Sequence, residues 1–351
     1  MHSNRQRPQD IPTSDGRNID PALGTLSGEG SSQITEPAKS ELSREHPASP
    51  SSSVTLSDPT YYDRPLLKEP VWGHEIPLYY FIGGAAGTAL ALAAAAQAAS
   101  SANLGTLIRR GRWMGMAGAS IGGVLLILDL GRPSRFLNML RVFRPTSPMN
   151  MGAWILSAVV PTAGISELFR SRRGLTGAFG RLSGYIAGLA GLGLATYTGV
   201  LVSNSAIPFW QASRRTLPLL FGASGVSAAA SLLELMPEDA ASTSVTRNFA
   251  FAGRASELAL SFLLERQVGV VPRVAEPLHK GASGLLWRAA ALASAGSVVA
   301  SLLPKRFPAR RFVSGILGAG GSMLLRYAIH KAGIASARDP RATFYSQREG
   351  D

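Results

Sequence analysis

The chain has 351 residues, of which 46% are hydrophobic, only 16% charged and none cysteine. Its net charge of +13 is unevenly spread: residues 1–70 hold seven Lys/Arg against ten Asp/Glu, a net of −3, and the other 281 hold 28 against 12, a net of +16. The basic residues fall in short clusters between apolar runs, which fits the positive-inside pattern of membrane proteins and argues against a groove that tracks nucleic-acid phosphates. Without cysteine, the chain can form no disulfide, thiolate zinc site or iron–sulfur cluster of its own.

Residues 1–70 are rich in Ser, Pro, Asp and Glu and contain few apolar residues. Such a segment buries too little surface to offset its ordering entropy, so a disordered polar tail is expected. The first thirty residues contain no apolar h-region, so no cleavable signal peptide is expected and insertion would rely on the first span.

A helix needs about 20 predominantly apolar residues to cross the hydrocarbon core. Ile76 to Ile108 carries no charge, and its centre, Leu78 to Ser101, is the first such span. The second runs from Trp113 to Leu130, the third from Met149 to Phe169, the fourth from Leu182 to Ala206 and the fifth from Thr216 to Met236. The sixth, near Asn248 to Val271, carries Arg254, Glu257, Glu265 and Arg266. The seventh, Gly281 to Leu303, is interrupted by Arg288, and the eighth runs from Phe312 to His330. The ten-residue alternating segments of a transmembrane barrel are absent. Gly83-Gly84, Gly118 with Gly122, and Gly184 through Gly193 are small-residue stretches that let helix backbones approach closely in lipid. The expected fold is therefore an all-α integral membrane protein with about eight transmembrane helices in tight bundles over residues 71–335, and a polar C-terminal tail over 336–351.

With eight spans, Arg109-Arg110-Gly-Arg112, Arg170 to Arg173 with Arg181, and Lys305-Arg306 with Arg310-Arg311 share one membrane face. If the arginines after the second span serve function, that face is cytoplasmic and the N-terminal tail lies outside.

Between the second and third spans lies Asp129-Leu-Gly-Arg-Pro-Ser-Arg-Phe-Leu-Asn-Met-Leu-Arg-Val-Phe-Arg-Pro-Thr-Ser-Pro-Met-Asn150, with one acid and four arginines. Charge at a membrane boundary is costly and is commonly kept for function. Gly131-Arg-Pro133 breaks the helix, and proline favours the first turn of a new one, so a short interfacial helix is expected over Pro133 to Val142. Arg135 and Asn138 would share a face of it. Asp129 is expected to pair with Arg132 or Arg135, because an unpaired charge at that depth is costly.

The stretches Asp129 to Phe136 and Phe143-Arg-Pro-Thr-Ser-Pro-Met-Asn-Met-Gly152 resemble the hallmark of the NrfD/PsrC family, the membrane subunits of polysulfide-reductase-like and nitrite-reductase-associated complexes. Trp72-Gly-His-Glu-Ile-Pro-Leu-Tyr-Tyr-Phe-Ile-Gly-Gly84, Tyr197 to Leu201 running on to Ile207-Pro-Phe-Trp210, and Arg254-Ala-Ser-Glu257 are similar to further family stretches. The resemblance spans roughly residues 70–335. It implies a quinone or quinol (menaquinone or ubiquinone) bound near one membrane face. It also implies a docked ferredoxin-like iron–sulfur subunit that relays electrons to or from a catalytic oxidoreductase subunit. Family members carry no redox cofactor of their own, so neither haem nor iron–sulfur is expected in this chain. The implied location is the inner cell membrane.

A quinone site needs donors at two carbonyl oxygens, an apolar slot and a route for protons. A histidine can donate and relay a proton near neutral pH. His74 is either such a group, as the family's histidine at the mouth of its first helix implies, or an interfacial residue touching headgroups. Asp129, Arg132 and Arg135 complete the rim, either as ligands or as a structural ion pair that locks the loop. Arg141 and Arg144 fit lipid headgroups or the electron-transfer partner. Tyr197 falls at the height of Asp129 and is either a donor to the quinone, as in family members, or a buried phenol bonded to a backbone carbonyl. Asn204 and Trp210 are candidates for the same mouth, with Trp210 alternatively an interfacial anchor. Glu75 is a candidate surface proton acceptor. Glu234, Arg254 and Glu257 are intramembrane ionisable groups that suit a proton path, although Arg254 and Glu257 at i, i+3 also suit a simple pair. The five histidines have no metal-ligand spacing. The competing readings are a secondary transporter and a proton-translocating or anchor subunit without quinone turnover.

Overall fold

The computed structural model describes residues 19–20, 25–26, 67–99, 102–131, 134–237, 239–304, 306–307 and 309–348. The tail expected over 1–70 thus falls largely outside the described residues, as does Arg132. The chain divides into a unit Met1–Asp58 and a unit Pro59–Asp351. In the first, β1 (Ile19–Asp20) pairs antiparallel with β2 (Thr25–Leu26).

Every regular element among the described residues of the second unit is helical: α1 (Glu75–Ala98), α2 (Gly105–Asp129), α3 (Ser134–Met139), α4 (Pro148–Leu168), α5 (Gly174–Ser203), α6 (Pro208–Ala212), α7 (Leu217–Glu234), α8 (Ala240–Val268), α9 (Pro272–His279), α10 (Gly281–Leu302), α11 (Arg310–Arg338) and α12 (Pro340–Arg348), with one 3₁₀ turn at Ala102–Leu104. Among the described residues, α1, α2, α4, α5, α7, α10 and α11 are long and apolar enough to cross a membrane. The eighth long helix, α8, has 29 residues but falls short in apolarity, because it carries Arg247, Arg254, Glu257, Glu265 and Arg266. Arg254 and Glu257 are buried inside the protein, so they are not presented to lipid. Large apolar side chains such as Leu128, Leu189, Leu292 and Val299 are exposed on the spanning helices, as lipid contact requires.

Three boundaries differ from the sequence expectation. Helix α2 begins at Gly105, eight residues before Trp113, and takes in Arg109, Arg110 and Arg112. It can do so because Arg112 is buried against Glu167 of α4. Helix α5 begins at Gly174 with Arg181 on its exposed side. Helices α11 and α12 occupy most of the stretch expected as a C-terminal tail, and Ala342 is fully buried there.

Helices α1, α2, α4 and α5 pack as one group and α7, α8, α10 and α11 as another, joined where α1 and α5 meet α7 and where α1 meets α11. Close approach at these junctions depends on missing side chains. A Cβ at Gly87 of α1 would lie 2.9 Å from the Ala195 nitrogen of α5, and one at Gly225 of α7 would lie 2.9 Å from the Gly84 carbonyl of α1. Thr88 then donates across the same junction to the Gly225 carbonyl at 2.7 Å. In lipid, where apolar burial gives no drive, such contacts and cross-helix hydrogen bonds hold helices together.

The connection between α2 and α4 is built around two residues. Gly131 adopts φ +67°, which turns the chain off the end of α2. Buried Asn150 ties the loop from within: its Nδ2 donates to the carbonyls of Met139 (2.5 Å) and Val142 (2.9 Å), and its Oδ1 accepts from the Arg144 N–H (2.7 Å). Ser147 caps α4 by accepting from the Asn150 N–H, with Pro148 in its first turn. The interfacial helix expected over Pro133 to Val142 is present as the shorter α3.

Contacts between helix ends define two faces. Arg112 of α2 reaches Gln97 at the end of α1 and Glu167 at the end of α4, while Gln97 donates to the Arg181 carbonyl of α5. Arg311 near the start of α11 donates to the Leu233 and Met236 carbonyls at the end of α7. These ends form an arginine-rich face. The opposite face, the rim, carries His74, Asp129, α3 and the end of α5.

Candidate functional site

Two turns of α1 supply the centre of the rim. His74 precedes the helix and is exposed, Glu75 opens it, and Tyr79 and Tyr80 follow one turn deeper, each 1% exposed. The Tyr79 hydroxyl is hydrogen-bonded to the Tyr197 hydroxyl of α5, with the two rings edge-on at 6.4 Å. Tyr197 is therefore bonded to a second phenol and not to a backbone carbonyl. Room for these rings comes from glycines: a Cβ at Gly122 would lie 3.0 Å from the Tyr79 ring, and one at Gly152 would overlap the Tyr197 ring. The His74 ring lies 6.2 Å from that of Tyr327 on α11, whose hydroxyl donates to the His74 carbonyl at 3.3 Å.

Asp129 ends α2 in a half-buried position and interacts electrostatically with both Glu75 and Tyr80. Arg135 of α3 donates to the Leu130 carbonyl at 3.2 Å, and no ion pair joins it to Asp129 among the described residues. Of the two partners expected for Asp129, Arg135 is thus engaged elsewhere, because the turn at Gly131 aims its guanidinium at the free carbonyls that end α2, and Arg132 lies outside the described residues. Asn204 caps α5 and is exposed, seven residues beyond Tyr197, or about 10 Å along the helix. It shares Tyr197's side of α5 but not its depth.

Beneath the rim is an aromatic cluster. Trp72 stacks on Trp210 at 5.7 Å and on His330 at 6.3 Å, while Tyr80 meets His330 edge-on at 6.3 Å and Phe221 at 5.7 Å. Trp210 is fully buried and donates from Nε1 to the Ile329 carbonyl at 3.0 Å, so it is a core residue and not an interfacial anchor. Among the described residues, two buried polar atoms in this cluster have no hydrogen-bond partner: Tyr80 Oη and His330 Nδ1. Unpaired buried polar groups are rare and costly, so two in one cluster mark a place built to meet something else.

A polar ladder continues through the second helix group. Ser314, Gly318, Ser322, Arg326 and His330 recur every four residues on one face of α11, covering about 24 Å of its axis. At its far end, Glu234 of α7 accepts from Arg254 of α8 at 2.5 Å, and Arg254 also donates to Ser314 Oγ (2.7 Å) and Ser231 Oγ (3.0 Å). Glu257 instead accepts from Ser294 Oγ of α10 (2.5 Å) and Ser322 Oγ of α11 (2.6 Å). The i, i+3 pair of Arg254 with Glu257 is therefore not formed; each takes a partner from a different helix. Arg326 donates to the Phe221 carbonyl (2.6 Å) and lies 4.0 Å above the Phe221 ring.

The structure thus brings His74, Glu75 and Asp129 together on the rim, with Tyr197 beneath it. It buries Glu234 with Arg254 in one cluster and Glu257 with Ser294 and Ser322 in another, and leaves Asn204 and Arg135 exposed at the edge. Sequence reasoning missed Tyr79, Tyr80, Arg326 and His330. The first two lay inside a quoted motif, and the last two were signalled by the four-residue polar spacing of the eighth span. Among the described residues no group of three or more His, Asp or Glu has the arrangement of a metal site.

A family model described as "Polysulphide reductase, NrfD" matches residues 65–244, just over half of the chain. The match runs from the approach to α1 into the first turns of α8, and takes in Trp72 to Gly84, the α2–α4 connection and Tyr197 to Trp210. No curated protein matches the chain.

Proposed function

The chain belongs to the NrfD family of membrane subunits of oxidoreductases, and from that premise we propose that it binds a quinone or quinol at the rim and exchanges electrons with an iron–sulfur partner docked there. The observation that carries the reading is the pair of unpartnered buried atoms, Tyr80 Oη and His330 Nδ1, in an aromatic cluster directly under three titratable rim residues. Tyr80 Oη is a donor for a quinone carbonyl, His330 Nδ1 is a donor to a quinone or an acceptor from a quinol according to its tautomer, and the aromatic faces suit a flat apolar ring. When bound, such a group supplies exchange of two electrons and two protons with a lipid-soluble carrier.

The chain's own residues bind, orient and move protons. Tyr80 donates from its free hydroxyl, and the aromatic faces of Trp72 and Phe221 exclude water around it. His74 passes protons between the site and the aqueous phase, with Glu75 as its neighbour at the surface. Asp129 and Arg132 fix the rim's charge, Arg135 holds the Leu130 carbonyl and so the turn, and Asn204 borders the mouth. Tyr197 holds Tyr79 in place through their shared hydrogen bond. The menaquinone or ubiquinone so bound is the carrier; clusters and catalysis belong to partner subunits, a ferredoxin-like protein and a catalytic oxidoreductase subunit. Glu257, Glu234 and Arg254 would carry protons between the faces along the α11 ladder, whose reach approaches the roughly 30 Å of the hydrocarbon core. The arginine-rich face suits the cytoplasmic side of the inner membrane, which leaves the N-terminal tail outside.

The test is quinol-dependent reduction of the iron–sulfur partner by the intact complex. Asp129→Asn and His74→Ala are each expected to lower turnover by about 10²-fold or more, the usual size of a lost proton-transfer group. Unchanged turnover in both would remove the site. Turnover absent from the wild-type complex would favour an anchor.

A further inference from the structure

On the arginine-rich face, the ends of α1 and α4 and the starts of α2 and α5 enclose a cleft of 200 Å³. Arg112, Arg170 and Arg181 line it, with Gln97, Ser166 and Gly180. The rim residues and the α11 ladder take no part in it. Arg112 is 5% exposed and donates to the Ser166 carbonyl and to Glu167 Oε2, both at 3.3 Å, and to Gln97 Oε1. Arg170 Nε shares the same carboxylate at 3.1 Å. One acid therefore faces two arginines, while among the described residues no ion pair takes up Arg181. The cleft holds three guanidinium groups against one carboxylate, a net charge of +2.

A second observation points to a ligand. Ser166 is 1% exposed, lines the cleft, and its hydroxyl has no hydrogen-bond partner among the described residues. Ser166 Oγ, Gln97 Oε1 and Arg112 Nη2 converge on the bare α-carbon of Gly184, where a Cβ would lie 2.7, 2.6 and 3.0 Å from them. An idle buried hydroxyl beside Arg181, which no ion pair takes up among the described residues, and beside two arginines that share one carboxylate is a donor set short of an acceptor. Hydroxyl and guanidinium donors together suit a phosphate oxyanion.

The surroundings select the form of that phosphate. The cleft lies at helix ends, at the depth of lipid headgroups, and the helices beside it turn Leu168 (71% exposed), Leu175 (90%) and Leu182 (56%) outward. A free anion would find polar donors but gain nothing from this apolar flank, whereas a phospholipid can lay its acyl chains along it. Basic pockets between spanning helices are recognised headgroup sites. A zwitterionic headgroup brings its own cation and so leaves the net +2 unneutralised. We propose that this cleft binds the phosphate of an anionic phospholipid in the leaflet of the arginine-rich face.

The experiment compares phosphatidylglycerol, phosphatidylcholine and inorganic phosphate, using native mass spectrometry and thermal unfolding of the full-length protein in detergent. Wild type should retain phosphatidylglycerol in preference to phosphatidylcholine, and millimolar inorganic phosphate should leave the melting temperature unchanged. The double variant Arg170→Gln/Arg181→Gln changes exposed side chains only, and should bind phosphatidylglycerol about 30-fold more weakly, from the typical contribution of two basic residues near an anionic surface. Ser166→Ala should weaken it further without lowering the melting temperature of the lipid-free protein. Equal retention of the two lipids, or unchanged affinity in the double variant, overturns the proposal. Stabilisation by inorganic phosphate equal to that by phosphatidylglycerol overturns the lipid assignment in favour of a free-phosphate site.

Discussion

Replacing Glu234 by alanine strands a guanidinium in the protein interior. Arg254 is 0% exposed and meets Glu234 at 2.5 Å; its other partners, Ser314 and Ser231, are neutral. Removing one member of a buried ion pair costs about 3–5 kcal/mol, because the remaining charge keeps its desolvation penalty and loses its compensation. A solvent-exposed pair, by contrast, contributes only about 0.2–1 kcal/mol. Glu234→Ala is therefore expected to destabilise by about 3–5 kcal/mol. The double variant Glu234→Leu/Arg254→Leu should recover most of that loss, since apolar replacement of a whole buried pair is often close to neutral. Unfolding in mixed micelles, followed by circular dichroism, measures both. A single variant that loses less than about 1 kcal/mol, or a double variant less stable than the single, would refute the reasoning.

Glu257→Gln keeps an acceptor for Ser294 or Ser322, so it should fold normally while slowing proton uptake by about tenfold or more in vesicles containing the complex; normal uptake would exclude Glu257 from the path. Tyr79→Phe and Tyr197→Phe each orphan the other hydroxyl and should each cost about 1–3 kcal/mol, with the double variant costing less than the sum in a thermal-unfolding cycle. Gly333→Ala would push into the Trp210 ring and should cost about 1–3 kcal/mol, with a change in tryptophan fluorescence. On α9, the Lys280 hydrogen bond, aided by the Arg273 and Lys280 charges, holds the Glu276 carboxyl below its ordinary value. Its contribution is thus present at neutral pH and lost as pH falls through that lowered value, so hydrogen exchange of α9 should stay constant down to the ordinary glutamate range and accelerate only as pH falls below it.

The helical architecture was legible because seven apolar stretches of the right length, with α8 a more charged eighth, alternate with charged connectors, and lipid admits few other solutions. Helix ends were less legible: the start of α2 depends on Arg112 finding Glu167 across the bundle, which no local pattern reveals. The rim was read in part. His74, Glu75 and Asp129 advertise themselves as charges at span ends, but Tyr79 and Tyr80 look like ordinary apolar filler until the fold sets them beside Tyr197 and His330. The partner of Arg254 was not legible, because i, i+3 spacing on one helix competes with other helices that sequence alone does not bring near. Asn150 shows the reverse: a motif residue whose role in tying the α2–α4 loop needed coordinates to see.

Photolabelling of the intact complex with an azidoquinone, followed by peptide mapping, tests the central assignment most directly. The account predicts that label attaches within Trp72–Tyr80 and around His330, and that excess quinol prevents it. Label confined to other helices, or labelling that quinol does not displace, would contradict the assignment of the rim.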